Sequence, residues 1–301
     1  MATVTPSGAA LGAEIRGIDA SVPLSDAGLA LVLQALHTHK VVVLRDQLLQ
    51  PVQQIAFCAR FGSLEEHVLA QFLVPGHREL VRVSNVLDEA GKPIGLVDAG
   101  RLWHSDGAFL DKPNLYSMLY AIEIPHGADG RSLGETWFVD TAKAYGSLPR
   151  AMKQRITGLT ALNSLEAVYA AMHKDKAALN RPPLTEAQRR GVVHPVVRVH
   201  PHSGQLCLYV SRAATVRILG LAEEDSRALI DELADWCVRD EMQYHHRWRE
   251  GDLLIWDNCG GQHLAIGDYA LPQRRLMHRA TVAGIEPVGA PAHESATADA
   301  A

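Results

Sequence analysis

The chain is poor in cysteine. It has four in 301 residues, and Cys58, Cys207, Cys237 and Cys259 form no C-x-x-C pair, so neither a disulfide framework nor a thiolate zinc site is expected. It also has no run of 18 apolar residues, the length a membrane span needs. The opening segment MATVTPSGAALGAEIRG lacks the apolar core of a secretory signal peptide. A cytoplasmic location is expected, with no membrane partner. Neither charge sign dominates: 29 Lys and Arg stand against 34 Asp and Glu, for a net charge of -5. That balance speaks against a general nucleic-acid binder. Aromatics make up only 6% and charged residues 21%, whereas hydrophobic residues reach 47%. The last figure excludes wholesale disorder. The one unusual abundance is histidine, with 15.

Hydrophobic periodicity sets out the elements. Ser25 precedes a helically spaced run, Leu29, Val32 and Leu36, and predicts a helix over 25–39 with serine as its N-cap. Val41 to Leu44 is wholly apolar and fits a strand buried on both faces. Proline at position 51 and Gly62 bracket a second helix over 51–61. Strands are expected at 80–86, 115–124 and 137–139, then a helical stretch over 140–158. Residues 193–199 and 206–210 read as a hairpin around His200 to Gly204. An amphipathic helix follows over 222–240, then strands at 244–248, 253–256 and 275–282. The polar segment 166–190 is a candidate lid insertion. Residues from about 289 to 301 read as a disordered tail. These elements suggest a closed or sandwiched β core with helical cover in one domain, residues 1–288.

Three segments carry the chemistry. The first is Trp103-His104-Ser105-Asp106. In a strand, residues two apart share a face, so His104 and Asp106 would aim one imidazole nitrogen and one carboxylate oxygen at a common point. The second is Trp256 to His263, where a histidine past a small-residue turn can supply a third ligand. Two histidines and a carboxylate form the facial triad of non-haem iron oxygenases, which leaves coordination positions open. The third is Arg274 to Val282. As a strand it places Arg275, Met277 and Arg279 on one face, the two arginine Cα atoms about 13 Å apart at roughly 3.3 Å per residue. Buried arginines need anions, and each planar guanidinium clamps a carboxylate, sulfonate or phosphate in bidentate fashion.

Together, WHSDGAF, GETWFVD and WDNCGGQH followed by DYALPQRRLMHRATV resemble the Fe(II)/2-oxoglutarate-dependent dioxygenases of the taurine dioxygenase and 2,4-dichlorophenoxyacetate dioxygenase group. The resemblance runs from about Gly12 to Gly284. It implies a mainly β fold with helices, a double-stranded β-helix (jelly-roll, cupin-like) core with helical cover. It implies that His104, Asp106 and His263 hold Fe(II). Arg275 would clamp the distal carboxylate of 2-oxoglutarate and Thr136 would hydrogen-bond it. Arg279 matches the position that binds the anionic group of the primary substrate, Tyr209 matches an aromatic lining that pocket, and His67 lies near a substrate-contacting histidine. Trp256 would pack beside the metal, with Asp257 and Asn258 fixing the turn.

The implied reaction uses O2 and 2-oxoglutarate to hydroxylate a small sulfonate- or carboxylate-bearing substrate, releasing succinate and CO2. The product is cleaved where the hydroxylated carbon bears a leaving group. Homo-oligomers are common in the group. Glu135 replaces the usual aspartate before Thr136. Residues 98–102 lack the asparagine that helps bind taurine, and His67 is followed by Val68 rather than proline. These departures argue against taurine itself. Two other readings stand beside the dioxygenase: a metal-dependent hydrolase, which leaves Arg275 without a purpose, and a non-catalytic jelly-roll binding protein.

Overall fold

Strands with apolar residues at every position build the centre of the molecule, because both of their faces are covered. The computed structural model describes residues 2–67, 69–97, 100–172 and 183–291. Eight strands frame the site: β1 (Val41–Leu44), β2 (His77–Ser84), β3 (Tyr116–Glu123), β4 (Thr136–Asp140), β5 (Gln243–His246), β6 (Leu253–Asp257), β7 (Gly261–Ala265) and β8 (Leu276–Val282). The larger sheet runs in the order β1-β6-β3-β8-β2. It is extended beyond β1 by Ala13–Arg16 and Thr3–Pro6, and beyond β2 by Leu73–Val74. All its pairings are antiparallel except that of Ala13–Arg16 with β1. A smaller sheet, β5-β4-β7, faces it.

The period of two decides what each face meets. Val42, Leu44, Met118, Tyr120, Leu253, Ile255, Ala280 and Val282 point outward from the large sheet. There they meet helix α1 (Asp26–His39) through Val32, Ala35 and Leu36, and helix α2 (Pro51–Cys58) through Phe57 and Cys58. The alternate residues, Val41, Val43, Leu119, Ala121, Leu254, Trp256 and Met277, point inward to Phe138 and Trp248. This two-sheet sandwich, with α1 and α2 on the outside of its larger sheet, is the double-stranded β-helix expected from the sequence. Helix α3 (Glu223–Cys237) covers the outside of the small sheet, burying Leu229, Ile230, Leu233 and Cys237 beside Val139.

Ser25 caps α1 as expected, its side chain accepting from the Gly28 N–H. Elsewhere the local signals were overridden. The 140–158 stretch splits into Thr141–Ser147 and Arg150–Ile156, because Pro149 offers no N–H to carry a helix through. Strand Val192–Pro195 pairs with Thr160–Asn163, and only Val197–Val199 forms the expected hairpin with Leu206–Leu208. Val288–Gly289 pairs with Val199 and Arg198, so ordered structure passes the expected start of the tail; residues 292–301 lie outside the described residues. The 166–190 segment holds two short helices, Leu165–Met172 and Glu186–Arg190, and its middle, 173–182, lies outside the described residues. Among the described residues no helix is long and apolar enough to cross a membrane.

Two of the packed histidines make stability depend on pH. His37 lies 2.6 Å from the Tyr116 hydroxyl through Nε2 and stacks on His202 at 4.4 Å. Burial first, then neighbouring His202, lowers it to about 4. Burial, then Arg82, lowers His278 to about 4. Unfolded histidines take up protons near 6.5, whereas these two decline them until about 4. Their neutral state therefore stabilises the fold fully above 6.5, and the stabilisation drains away as pH falls toward 4. The urea midpoint is expected to be lower at pH 5 than at pH 7.5. An unchanged or higher midpoint at pH 5 would contradict these burials.

Candidate metal centre and anion site

The first two metal-ligand candidates do not sit in a strand. His104 makes a single antiparallel bridge with His263, through His104 N–H to His263 O at 3.1 Å and His263 N–H to His104 O at 2.8 Å. Beyond it the chain turns, with Gly107 at φ +72°. Gly107 has to be glycine on steric grounds also, since a Cβ there would lie 2.0 Å from the Asn114 side chain. The expected strand geometry at 104–106 is thus replaced by one bridge and a turn, yet the side chains still converge. The sequence places His263 past a small-residue turn and gives no strand signal there; the structure puts it in strand β7, whose small and polar residues hide the pairing with β4.

His104 Nε2 lies 3.6 Å from Asp106 Oδ1, and His263 Nε2 lies 4.0 Å from Asp106 Oδ2. Ligand atoms of all three fall within 4.8 Å of one another. His104 Nδ1 is 2.7 Å from the Leu102 carbonyl. A carbonyl only accepts, so Nδ1 carries the proton and Nε2 presents its lone pair. Such an outer bond is how proteins orient a ligating imidazole. His263 Nδ1 is buried without a partner. Burial, then His104, holds His263 at about 3, so it stays neutral. Burial raises the Asp106 carboxyl, but His263, His104 and Arg279 outweigh it and keep the group well below the usual carboxylate range. Two imidazole nitrogens and an anionic oxygen are a donor set suited to a divalent first-row metal. The residues fit such an ion.

Both arginines open into the same cavity as the histidines, together with Thr136 and Trp256. Arg275 is 3% exposed, and its Nε has no hydrogen-bond partner. Its other nitrogens reach only the Tyr269 hydroxyl at 3.4 Å and the Gly134 carbonyl at 3.3 Å. Among the described residues it forms no ion pair. A buried guanidinium held by neutral groups wants an anion. Gly134 makes room for it: a Cβ there would stand 2.9 Å from Tyr269 and 3.3 Å from Arg275 Nε. Thr136 Oγ1 accepts from Trp248 Nε1 at 3.0 Å, which leaves its own O–H available to donate. Arg279 reaches Asp106 Oδ1 at 3.8 Å through Nη1, and its buried Nε is unpartnered. Trp256 packs 4.9 Å from the His263 ring.

His67 comes to the edge of this site. Its Nδ1 accepts from the Leu69 N–H at 3.2 Å, and burial, followed by the nearby Arg279 charge, lowers it to about 4. Tyr209 does not join the arginines. It lines a second cavity with Ser105, Ala108, Asn163 and Gln262, and Arg198 lies 4.8 Å from the centre of its ring. Ser105 and Gln262 each precede a metal-ligand candidate or its bridge partner, so alternation turns them to the opposite side from His104 and His263. Glu135 also turns away, accepting from Trp137 Nε1 at 2.9 Å and from Arg247 at 3.1 Å. The departures noted at Val68 and at positions 98 and 99 lie outside the described residues. Gly134 and Tyr269 lie inside the quoted motifs but carry no assigned role there, and Trp248 has no signal at all, because its contact with Thr136 joins positions 112 residues apart.

The taurine catabolism dioxygenase TauD, TfdA family matches residues 3–281. The chain belongs to this family. It is an enzyme of the 2-oxoglutarate-dependent dioxygenase class. The chain is 30% identical over 296 residues to pentalenolactone F synthase of Streptomyces arenae, spanning 95% of this chain and 97% of that one. It is 33% identical over 291 residues to the alpha-ketoglutarate-dependent sulfate ester dioxygenase of Pseudomonas putida, spanning 95% and 91%. Its fold matches the crystal structure of a taurine dioxygenase from Burkholderia xenovorans with a TM-score of 0.78 at 30% identity, over 96% of this chain and 91% of that one.

Proposed function

We propose that this member of the family uses Fe(II), 2-oxoglutarate and O2 to hydroxylate a small organic anion carrying a sulfonate, sulfate or carboxylate group. The observation that carries the reading is the opening of two buried, unpartnered guanidinium Nε edges, Arg275 and Arg279, into the same cavity as His104 and His263, whose ligand atoms lie within 4.8 Å of the Asp106 carboxylate. His104, Asp106 and His263 would hold Fe(II). Bound there with 2-oxoglutarate and O2, the ion supplies the oxidising chemistry, with succinate and CO2 as co-products.

The protein's share is binding, orientation and shielding. Arg275 would take the distal carboxylate of 2-oxoglutarate, and the Thr136 O–H would donate to the same group. Trp248 keeps that hydroxyl turned by donating to its oxygen. Arg279, on the same strand but beside Asp106, would take the anionic end of the primary substrate, with His67 neutral next to it. The inner-facing Val83, Leu119 and Trp256 line the cavity, exclude water and strengthen each charge contact. A hydrolase would use the metal-ligand set but give Arg275 no anion. The relatives' substrates, a sulfate ester for the Pseudomonas putida enzyme and taurine for the Burkholderia xenovorans enzyme, support an anionic substrate. A cytoplasmic setting suits this chemistry, and a homo-oligomer is compatible with it.

Arg279→Ala is expected to raise the KM for the primary substrate by about 30-fold or more, from the 2–5 kcal/mol that losing one partner of a buried charged contact costs. The KM for 2-oxoglutarate should move far less. Steady-state kinetics with a panel of alkyl sulfates, sulfonates and carboxylates reads both constants. The reverse order of effects would mean that the two arginines exchange roles.

A further inference from the structure

We propose that Ser117 and Asn258 are positioning residues that tie down one oxygen of the Asp106 carboxylate, so that this group offers only its other oxygen to a metal ion. The proposal rests on the metal-site reading above and adds two residues to it. Ser117 lies on β3 in the inward row with Leu119 and Ala121, where the pattern calls for an apolar residue, and it is fully buried. A buried hydroxyl is costly unless it is hydrogen-bonded. Here it donates to Asp106 Oδ2 at 2.6 Å and accepts from Asn258 Nδ2 at 3.0 Å.

Asn258 closes the ring. Its Oδ1 accepts from the Asp106 backbone N–H at 3.2 Å and from Trp256 Nε1 at 3.1 Å. Two N–H donors require an oxygen, so the amide can point only one way. Its own backbone N–H donates to the Leu115 carbonyl at 3.0 Å. Asp106 is thus held by main chain and side chain at once, by a cycle in which Ser117 and Asn258 are buried and Asp106 is part-buried. Oδ1, the oxygen nearer His104 Nε2 and Arg279, receives no hydroxyl.

The consequence is a matter of counting. Six positions around an ion, less three for the triad, leave three. A chelating keto acid and O2 together need all three. A carboxylate that gave both oxygens to the ion would fill one of them. The Ser117 hydrogen bond opposes that second contact by engaging Oδ2.

The probe is Mn(II) alone, added to the full metal-free chain, with water-proton relaxation reporting exchangeable waters on the bound ion. The wild-type protein is expected to keep three. Ser117→Ala should lose one, lowering inner-sphere relaxivity by about a third, whereas Ser117→Thr, which keeps the hydroxyl, should restore it. Asn258→Asp keeps the shape but draws the Ser117 proton to itself; it should behave like Ser117→Ala, and it serves if the alanine variant fails to fold. Wild-type relaxivity in Ser117→Ala or Asn258→Asp overturns the proposal. Failure of the wild-type chain to bind Mn(II) would instead overturn the metal-site reading on which it rests.

Discussion

Asp106→Ala is expected to abolish 2-oxoglutarate-dependent succinate formation and to weaken Mn(II) or Fe(II) binding by more than about 100-fold. Loss of an outer partner of a metal ligand alone costs about 10- to 100-fold in affinity, and this change removes the only anionic donor of the set. The metal-free fold should survive. Asp106 is not part of a hydrophobic cluster, and the His104 to His263 bridge is made by backbone atoms. The substitution also strips Arg279 of its nearest carboxylate, so added anions should bind the metal-free variant more readily than the wild type. Metal titration by calorimetry with a succinate assay checks the prediction. Turnover at the wild-type level would remove Asp106 from the ligand set.

Arg275→Met should have the second largest effect. The side chain volume is roughly kept between Trp248 and Tyr269, which stand 6.0 and 5.6 Å from the guanidinium carbon. The charge and its donors are lost. Truncating one member of a buried charged contact costs about 2–5 kcal/mol, so 2-oxoglutarate should bind about 30- to several thousandfold more weakly. Mn(II) affinity should stay near wild type, because Arg275 is not in contact with the metal-ligand candidates. Lysine is a poor rescue, since it offers a point charge where a planar fork is needed. Titrating 2-oxoglutarate into the Mn(II)-loaded protein separates the two effects. Undiminished cosubstrate affinity would place the distal carboxylate elsewhere.

The parts of the fold legible in the sequence were those whose burial follows their own composition. Val41–Leu44 is apolar throughout and is buried throughout. The helix behind Ser25 is written in spacing and cap. Strand β7 was illegible because Gly261, Gln262 and His263 have no apolar alternation; its partner β4 supplies the order. The site shows the same division. His104, Asp106, His263, Arg275 and Arg279 are singled out by residue type and spacing, and they meet in space. Ser117 looked like one hydroxyl in an apolar strand, and Tyr269 like part of a loop. Their meaning lies in contacts across 11 residues to Asp106 and 6 to Arg275, with Asn258 joining Ser117 from 141 residues away. Tyr209 shows the limit from the other side. The resemblance put it in the substrate pocket, whereas it lines a different cavity with Ser105, Ala108 and Gln262.

The pair of backbone hydrogen bonds between His104 and His263 joins positions about 160 residues apart, a separation that makes for slow, late-forming contacts. Whatever the three side chains grip, they grip only after the chain has closed a loop of more than half its length. An ion held there acts as a clasp on the whole topology. Its free energy is credited to the completed fold and to no partly assembled state. Metal affinity at this centre is therefore expected to fall with damage far from the cavity, at any seam of that long loop.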